Sequence, residues 1–114
     1  MNEPSATEFK TIADAAALAA LEKRPGLTLL YLHDPWCSIS SRAFHQLDAL
    51  GGAVALVDVD ANPELGRIVE EMTGIRHESP QAILLRDGEP VWSASHFAIT
   101  TDAARRALTQ AQSA

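Results

Sequence analysis

Hydrophobic positions follow two different patterns along the chain, and their alternation predicts the order of strands and helices. Two short apolar runs, LTLLYL at residues 27–32 and AVALVDV at residues 53–59, are typical of strands buried on both faces. Between these runs, apolar residues recur near helical spacing from Ile39 to Leu50, where two glycines end the pattern. The central part of the chain is therefore predicted to form a strand, a helix and a second strand.

Three further segments are predicted to be helices from their composition and end signals. Residues 13–23 are rich in alanine and leucine, carry Asp14 near the start and stop at an RPG sequence. The next helix begins after Asn62, with a proline and an acid in its first turn, and ends at Gly74. Residues 102–112 follow two threonines and predict a final helix.

A hairpin and an edge strand complete the predicted elements. Residues 81–95 form two strand-like runs joined at Asp87-Gly88, a dipeptide that supplies positive φ in tight turns. Residues 9–12 can add a strand at the edge of the sheet. Strands that alternate with helices pair in parallel through right-handed crossovers, and the hairpin adds an antiparallel part. The expected fold is α/β, a central mixed sheet flanked by helices, and it resembles the thioredoxin-like arrangement.

Length, composition and charge limit the classes of function. The 114 residues suit a single domain, and 46% hydrophobic and 21% charged residues are ordinary values for a folded one. Residues 1–8 are expected to form a flexible N-terminus. A net charge of −6 without a run of lysine and arginine argues against nucleic acid, and no apolar stretch approaches the roughly 20 residues of a membrane span. We therefore expect a cytoplasmic monomer that binds neither nucleic acid nor membrane.

The chain contains one cysteine, Cys37, within the sequence YLHDPWCSISSR at residues 31–42. A single cysteine excludes an internal disulfide and is typical of a reducing compartment. Cys37 lies where a predicted strand passes into a predicted helix. Free backbone N–H groups and the positive end of the dipole at a helix N-terminus favour the thiolate, which is the nucleophilic form. Cys37 is therefore predicted to be the reactive group; the alternative is a buried structural thiol.

Ser40 occupies the place that a second thiol takes in the redox motif Cys-x-x-Cys, three residues on and on the same helical face. Its hydroxyl can hydrogen-bond a thiolate but cannot displace a disulfide. A protein with this motif accepts one mixed disulfide and releases it only when a thiol arrives from outside. The alternative is that Ser40 is an ordinary residue of the first helical turn.

Several segments together resemble a known family. PWCSIS resembles the thioredoxin active-site turn, and three further segments resemble the bacillithiol system redox-active family, the monothiol bacilliredoxins. These segments are the His-x-x-x-Cys-x-Ile-Ser-Ser pattern from His33 to Ser41, IRHESPQ at residues 75–81 and ASHFAIT at residues 94–100. The resemblance implies a monothiol thiol–disulfide oxidoreductase. One position departs from the family, which usually carries proline where this chain has Ser38.

The resemblance also assigns residues around the cysteine. It makes Pro80 the cis-proline of thioredoxin folds, packed beside Cys37, and turns the backbone of Ser79 toward a docked disulfide. A supporting set near the thiol comprises Trp36, Ser38, Ser40 and His33, and a substrate-binding set comprises Ser79, Pro80, Arg42, Arg76 and His77.

Most of these side chains have two interpretations. The arginines can hold the carboxylate of a small thiol by forked hydrogen bonds, or they can be solvated surface residues, as can Trp36 and His77. His33, four residues before the cysteine, can stabilise a thiolate electrostatically or be a plain loop histidine.

The resemblance implies no tightly bound cofactor. Bacillithiol is the implied co-substrate, and the implied partners are thiolated client proteins and a disulfide reductase. The alternatives are a non-enzymatic thiol-binding module and a monothiol-glutaredoxin-like carrier that holds an iron–sulfur cluster across a dimer. Those carriers resemble Cys-Gly-Phe-Ser, which Ser38-Ile39 does not match. The four histidines show no pair at metal-ligand spacing, so no zinc site is expected.

Overall fold

The computed structural model describes residues 7–113. The described chain forms five strands and four α-helices, with one short 3₁₀ turn before the last helix. In order they are β1 (Glu8–Thr11), α1 (Ala15–Glu22), β2 (Leu27–His33), α2 (Ser38–Asp48), β3 (Ala53–Asp58), α3 (Pro63–Thr73), β4 (Gln81–Arg86), β5 (Glu89–Ser95), the 3₁₀ turn (His96–Ala98) and α4 (Thr101–Ser113).

The strands form one mixed sheet in the order β1-β3-β2-β4-β5. The β3 strand pairs in parallel with β1 and β2, whereas β4 pairs antiparallel with β2 and β5. The sequence predictions of parallel central strands, an edge strand and a closing hairpin are confirmed. Since β2 is the middle strand, the residues that follow it leave the sheet at the centre of one edge.

Apolar residues cover the sheet on both faces, which explains the uninterrupted apolar run in β2. Leu30 and Leu32 belong to the cluster under α1 and α3, whereas Leu29 and Tyr31 belong to the cluster under α2 and α4. Side chains alternate between the faces of a strand, so a strand covered on both sides requires apolar groups at every position. Tyr31 and Thr28 are the two residues of this run that bring a hydroxyl group into the core.

The start of the fold differs from its prediction. Residues 1–6 of the expected flexible N-terminus lie outside the described residues, but Thr7 is buried and Glu8 begins β1. The Thr7 hydroxyl donates a hydrogen bond to the carbonyl of Leu47 at 2.6 Å and accepts one from the N–H of Gly51 at 2.9 Å. The prediction is therefore wrong for these two residues, because the end of α2 holds Thr7 in place.

The hairpin turn has the geometry that its dipeptide predicts. Both Asp87 (φ 51°) and Gly88 (φ 84°) have positive φ, as in the tight turns that match the twist of paired strands. Asp87 is also tied to the loop before β2, since its N–H donates to the Gly26 carbonyl and its carboxylate accepts from the Gly26 N–H, at 2.8 and 2.7 Å. The turn is thus fixed at the end of the sheet opposite to Cys37.

Candidate active site

Cys37 is the residue that immediately precedes α2, in extended conformation with φ −107° and ψ 127°. A tight turn leads to it from β2: the Cys37 N–H donates to the carbonyl of Asp34 at 3.1 Å, and the Trp36 N–H donates to the Asp34 carboxylate at 3.0 Å. The side chain is partly exposed. The thiol is therefore accessible and lies at a helix N-terminus, where backbone N–H groups lack helical partners.

Ser40 contributes to the turn that carries Cys37. It is fully buried, and its hydroxyl oxygen accepts a hydrogen bond from the N–H of Asp34 at 3.1 Å. This hydrogen bond connects the first turn of α2 to the backbone of the loop that follows β2. Ser40 thus has a structural role in addition to its place three residues after the thiol.

Tyr31 and His33 extend this contact into the sheet. The buried Tyr31 hydroxyl donates to the carbonyl of Ser40 at 2.8 Å and lies 3.0 Å from Nδ1 of His33. Burial raises the pKa of Tyr31 well above its ordinary value; the side-chain hydroxyl of Ser40 lowers this pKa, and the charge of Cys37 raises it further. The Tyr31 hydroxyl therefore stays protonated and lies within electrostatic range of the thiol. Sequence reasoning treated Tyr31 only as a strand residue, although a hydroxyl in an aliphatic run was a signal.

His33 is better suited to a neutral than to a cationic role. Its ring lies 5.4 Å from that of Phe44, and burial lowers its pKa, opposed by the nearby charges of Asp58 and Asp34. Burial therefore works against the imidazolium that the predicted electrostatic stabilisation of a thiolate requires. His33 also lines a cavity of about 130 Å³ beside the cysteine turn, together with Pro35, Ser41 and Phe44.

The loop before β4 contains the cis peptide bond that was predicted, between Ser79 and Pro80. The carbonyl of Pro80 accepts a hydrogen bond from the N–H of His96 at 3.1 Å, which joins this loop to the 3₁₀ turn. The Ser79 hydroxyl oxygen is buried and has no hydrogen-bond partner among the described residues. The structure bears out the cis-proline but does not test its proposed contact with substrate.

Two exposed aromatic side chains lie on the elements of this region. Trp36 is 82% exposed, and its indole N–H donates to the Asp60 carboxylate at 2.9 Å. Phe97 of the 3₁₀ turn is 61% exposed, and the guanidinium carbon of Arg42 lies 5.7 Å from its ring centroid. Arg42 therefore makes a cation–π contact. Phe97 lies within the ASHFAIT segment, whose pattern of residues does not indicate that its ring is exposed.

Arg76 and His77, the two remaining residues of the predicted substrate-binding set, differ in their surroundings. Arg76 is exposed, and its backbone carbonyl accepts a hydrogen bond from the side-chain amide of Gln81 at 2.9 Å. The ring of His77 packs on α3, where a Cβ added to Gly66 would lie 2.7 Å from its Cε1 atom. The ring of His77 therefore occupies the space that a glycine leaves on α3, and its role in substrate binding stays a prediction.

Neither a metal cluster nor a membrane helix is found in the described part of the chain. Between residues 7 and 113, no three His, Cys, Asp or Glu side chains are grouped so that they could hold a metal ion. No helix in the same range has the length and apolar character needed to cross a membrane.

The position after Cys37 can accept the proline that the resembled family carries. Ser38 is the first residue of α2, where proline is tolerated, and Cys37 already has the extended backbone that precedes proline. We expect Ser38→Pro to raise the free energy of unfolding by about 0.4–1 kcal/mol, because proline restricts the unfolded chain. Urea denaturation measures the change.

The matched control is Ser41→Pro, which removes the N–H that donates to the Cys37 carbonyl at 3.0 Å. Proline there is expected to cost about 3 kcal/mol. Equal destabilisation by both prolines would show that the start of α2 is not arranged as described.

Comparison with known proteins supports the same fold and motif. The family described as "Monothiol bacilliredoxin BrxC" matches residues 7–104. A solved protein with a thioredoxin fold superposes with a TM-score of 0.78 at 23% identity, covering 91% of this chain and 93% of its own. Thioredoxin from Trypanosoma brucei brucei gives 0.77 at 14% identity, over 94% and 93%. A mutant thioredoxin from Halobacterium salinarum gives 0.72 at 22% identity, over 90% and 89%.

These structures show the fold alone, since their identities are low, whereas the family match spans most of the chain. Family and fold together support a thiol redox role for the single cysteine. The chain belongs to the monothiol bacilliredoxin family and has the thioredoxin fold.

Proposed function

We propose that this protein is a monothiol thiol–disulfide oxidoreductase that removes a low-molecular-weight thiol, bacillithiol, from client-protein mixed disulfides through Cys37. The observation that carries the proposal is an accessible single cysteine at the start of α2 in a chain of the monothiol bacilliredoxin family. The free thiol suits a reducing compartment, and the proposed location is the cytoplasm.

The proposed reaction has two exchange steps. In the first, the Cys37 thiolate attacks the small-thiol sulfur of the mixed disulfide. The client–small-thiol S–S bond breaks, a Cys37–small-thiol S–S bond forms, and the client leaves as a thiolate that takes a proton from water. In the second step, another small thiolate attacks the small-thiol sulfur that is bound to Cys37. This attack yields the symmetrical small-thiol disulfide and regenerates the Cys37 thiolate. A disulfide reductase then supplies two electrons to that disulfide.

The arrangement of residues supports a dependence on an external thiol. Within the chain there is no second cysteine, and the side chain three residues after Cys37 is a buried hydroxyl. The exposed rings of Trp36 and Phe97 offer apolar contact to a client protein. We propose that Arg42 and Arg76 attract the carboxylates of the small thiol, with Arg42 in place over Phe97.

The test follows the small thiol from client to Cys37. A reporter protein with one cysteine blocked by bacillithiol is mixed with wild type or Cys37→Ser, and intact masses of both partners are recorded over time. We expect the adduct mass to disappear from the reporter and to appear once on wild type. With Cys37→Ser, neither change is expected. Parallel reporters blocked by glutathione or coenzyme A show which small thiol is preferred.

The proposal is contradicted if the reporter keeps its adduct while a small alkylating reagent modifies Cys37 fully, because the thiol is then accessible but does not take up the small thiol. Iron-dependent visible absorption of the purified protein, together with that result, would favour the cluster carrier instead.

A further inference from the structure

The hydroxyl group of Tyr31 carries one proton and contacts both a backbone carbonyl and a ring nitrogen. It lies 2.8 Å from the Ser40 carbonyl oxygen and 3.0 Å from Nδ1 of His33. A carbonyl oxygen can only accept, so the tyrosine proton is directed to Ser40. For the second contact to be a hydrogen bond, Nδ1 of His33 must carry a proton and donate it to the tyrosine oxygen. The geometry therefore assigns the Nδ1–H form to His33.

This assignment leaves Nε2 of the neutral ring unprotonated. The charged and titratable groups that act on the ring are Asp58 at the end of β3, Asp34 after β2 and the Tyr31 hydroxyl, while α2 presents the apolar ring of Phe44. Burial lowers the pKa of His33, which agrees with a neutral ring. The contact with Tyr31 thus selects one of the two neutral forms.

We propose that Tyr31, oriented by His33, is a positioning residue that fixes the first turn of α2 and thereby the direction of the Cys37 thiol. The proposal rests on the role of Cys37 as the reactive thiol and adds a chain of three hydrogen-bonded residues behind it. The chain begins at His33, passes through the Tyr31 hydroxyl and ends on the backbone of Ser40.

Ser40 is the point at which this chain meets the thiol turn. Its carbonyl accepts from Tyr31, while its hydroxyl accepts from the N–H of Asp34, whose own carbonyl accepts from the Cys37 N–H at 3.1 Å. The strand end, the turn and the helix start are therefore connected through one residue. Loss of the Tyr31 hydroxyl loosens the helix start, so that its N–H groups are no longer held in one arrangement around the sulfur.

The first experiment compares Tyr31→Phe with Thr28→Val. Both remove a buried hydroxyl from β2, but the Thr28 hydroxyl oxygen has no partner in the described structure and lies toward the other end of the strand. The second-order rate of Cys37 alkylation by iodoacetamide is expected to fall about two- to tenfold in Tyr31→Phe, which corresponds to one lost hydrogen bond. Thr28→Val is expected to keep the wild-type rate.

A second pair of variants tests the donor on His33. His33→Asn can place an amide N–H near the position of Nδ1 and is expected to keep most of the wild-type rate, whereas His33→Ala is expected to resemble Tyr31→Phe. This pair also covers the case in which Tyr31→Phe does not fold.

The third measurement reads the ring directly. Long-range ¹H–¹⁵N spectra of wild type should show Nδ1 protonated and Nε2 unprotonated, and Tyr31→Phe should shift His33 toward the other neutral form. A wild-type ring protonated at Nε2 would overturn the proposal, and so would equal rates for Tyr31→Phe and wild type or equal losses in Tyr31→Phe and Thr28→Val. Because iodoacetamide needs neither client nor bacillithiol, these outcomes are independent of whether adduct transfer occurs.

Discussion

Ser40→Cys is expected to convert a protein that retains a small-thiol adduct into one that loses it in the absence of external thiol. Residue 40 follows Cys37 by three positions in the first turn of α2, so the two side chains lie on the same helical face. The introduced thiolate attacks the Cys37 sulfur, the bond to the small thiol breaks, and an intramolecular disulfide forms. Both proteins are loaded with the adduct, freed of excess thiol and followed by intact mass.

A neighbouring position provides the control. Ser38→Cys also adds one thiol to α2, but residues one apart on a helix do not face each other, so this variant should keep its adduct as wild type does. Sulfur is a weak acceptor, and loss of the Asp34 hydrogen bond is expected to cost Ser40→Cys about 1 kcal/mol of stability. If Ser40→Cys retains the adduct as long as wild type, residue 40 is not positioned to resolve a disulfide on Cys37.

Gly88→Ala is expected to destabilise the fold more than the other glycine substitutions. A Cβ at this position would overlap the carbonyl oxygen of Glu22 and lie 2.7 Å from its carbonyl carbon, and the residue has φ of 84°. The unfavourable backbone and the steric overlap together are expected to lower the free energy of unfolding by about 3 kcal/mol. Urea denaturation monitored by far-ultraviolet circular dichroism measures this change.

Gly74→Ala separates the two contributions. Gly74 ends α3 with φ of 72°, but a Cβ there would meet no atom within 4 Å. Gly74→Ala is therefore expected to lower the free energy of unfolding by about 1 kcal/mol, through the unfavourable backbone conformation alone. Equal losses in the two variants would mean that the hairpin turn does not pack against the end of α1 as described.

The elements with strong local signals were predictable from the sequence. Asp14 accepts a hydrogen bond from the Ala17 N–H at 2.8 Å and begins α1, and Asp87-Gly88 makes the expected turn. Continuous apolar runs marked β2 and β3, because strands covered on both faces have no polar side. These features depend on residues that are neighbours in the chain.

The parts of the site that sequence reasoning missed depend on contacts between distant residues. Tyr31 meets a backbone carbonyl nine positions away, and no periodic pattern reports that contact. The environment of His33 depends on its packing against Phe44, and the placement of His77 depends on the missing side chain of Gly66. Local patterns located the cysteine, whereas the groups that support it required three-dimensional packing.

Trp36, the residue before the only thiol in the chain, is a fluorophore with an exposed ring. The other tryptophan, Trp92, lies on β5 and packs against the cluster under α2 and α4, so the two indoles have different surroundings. Disulfides quench indole emission more strongly than thiols do, and the quenching requires close approach. Loading and release of an adduct on Cys37 should therefore change the light emitted by Trp36 while Trp92 serves as an internal reference. With such a change, emission from the native protein would report its redox state without an added label.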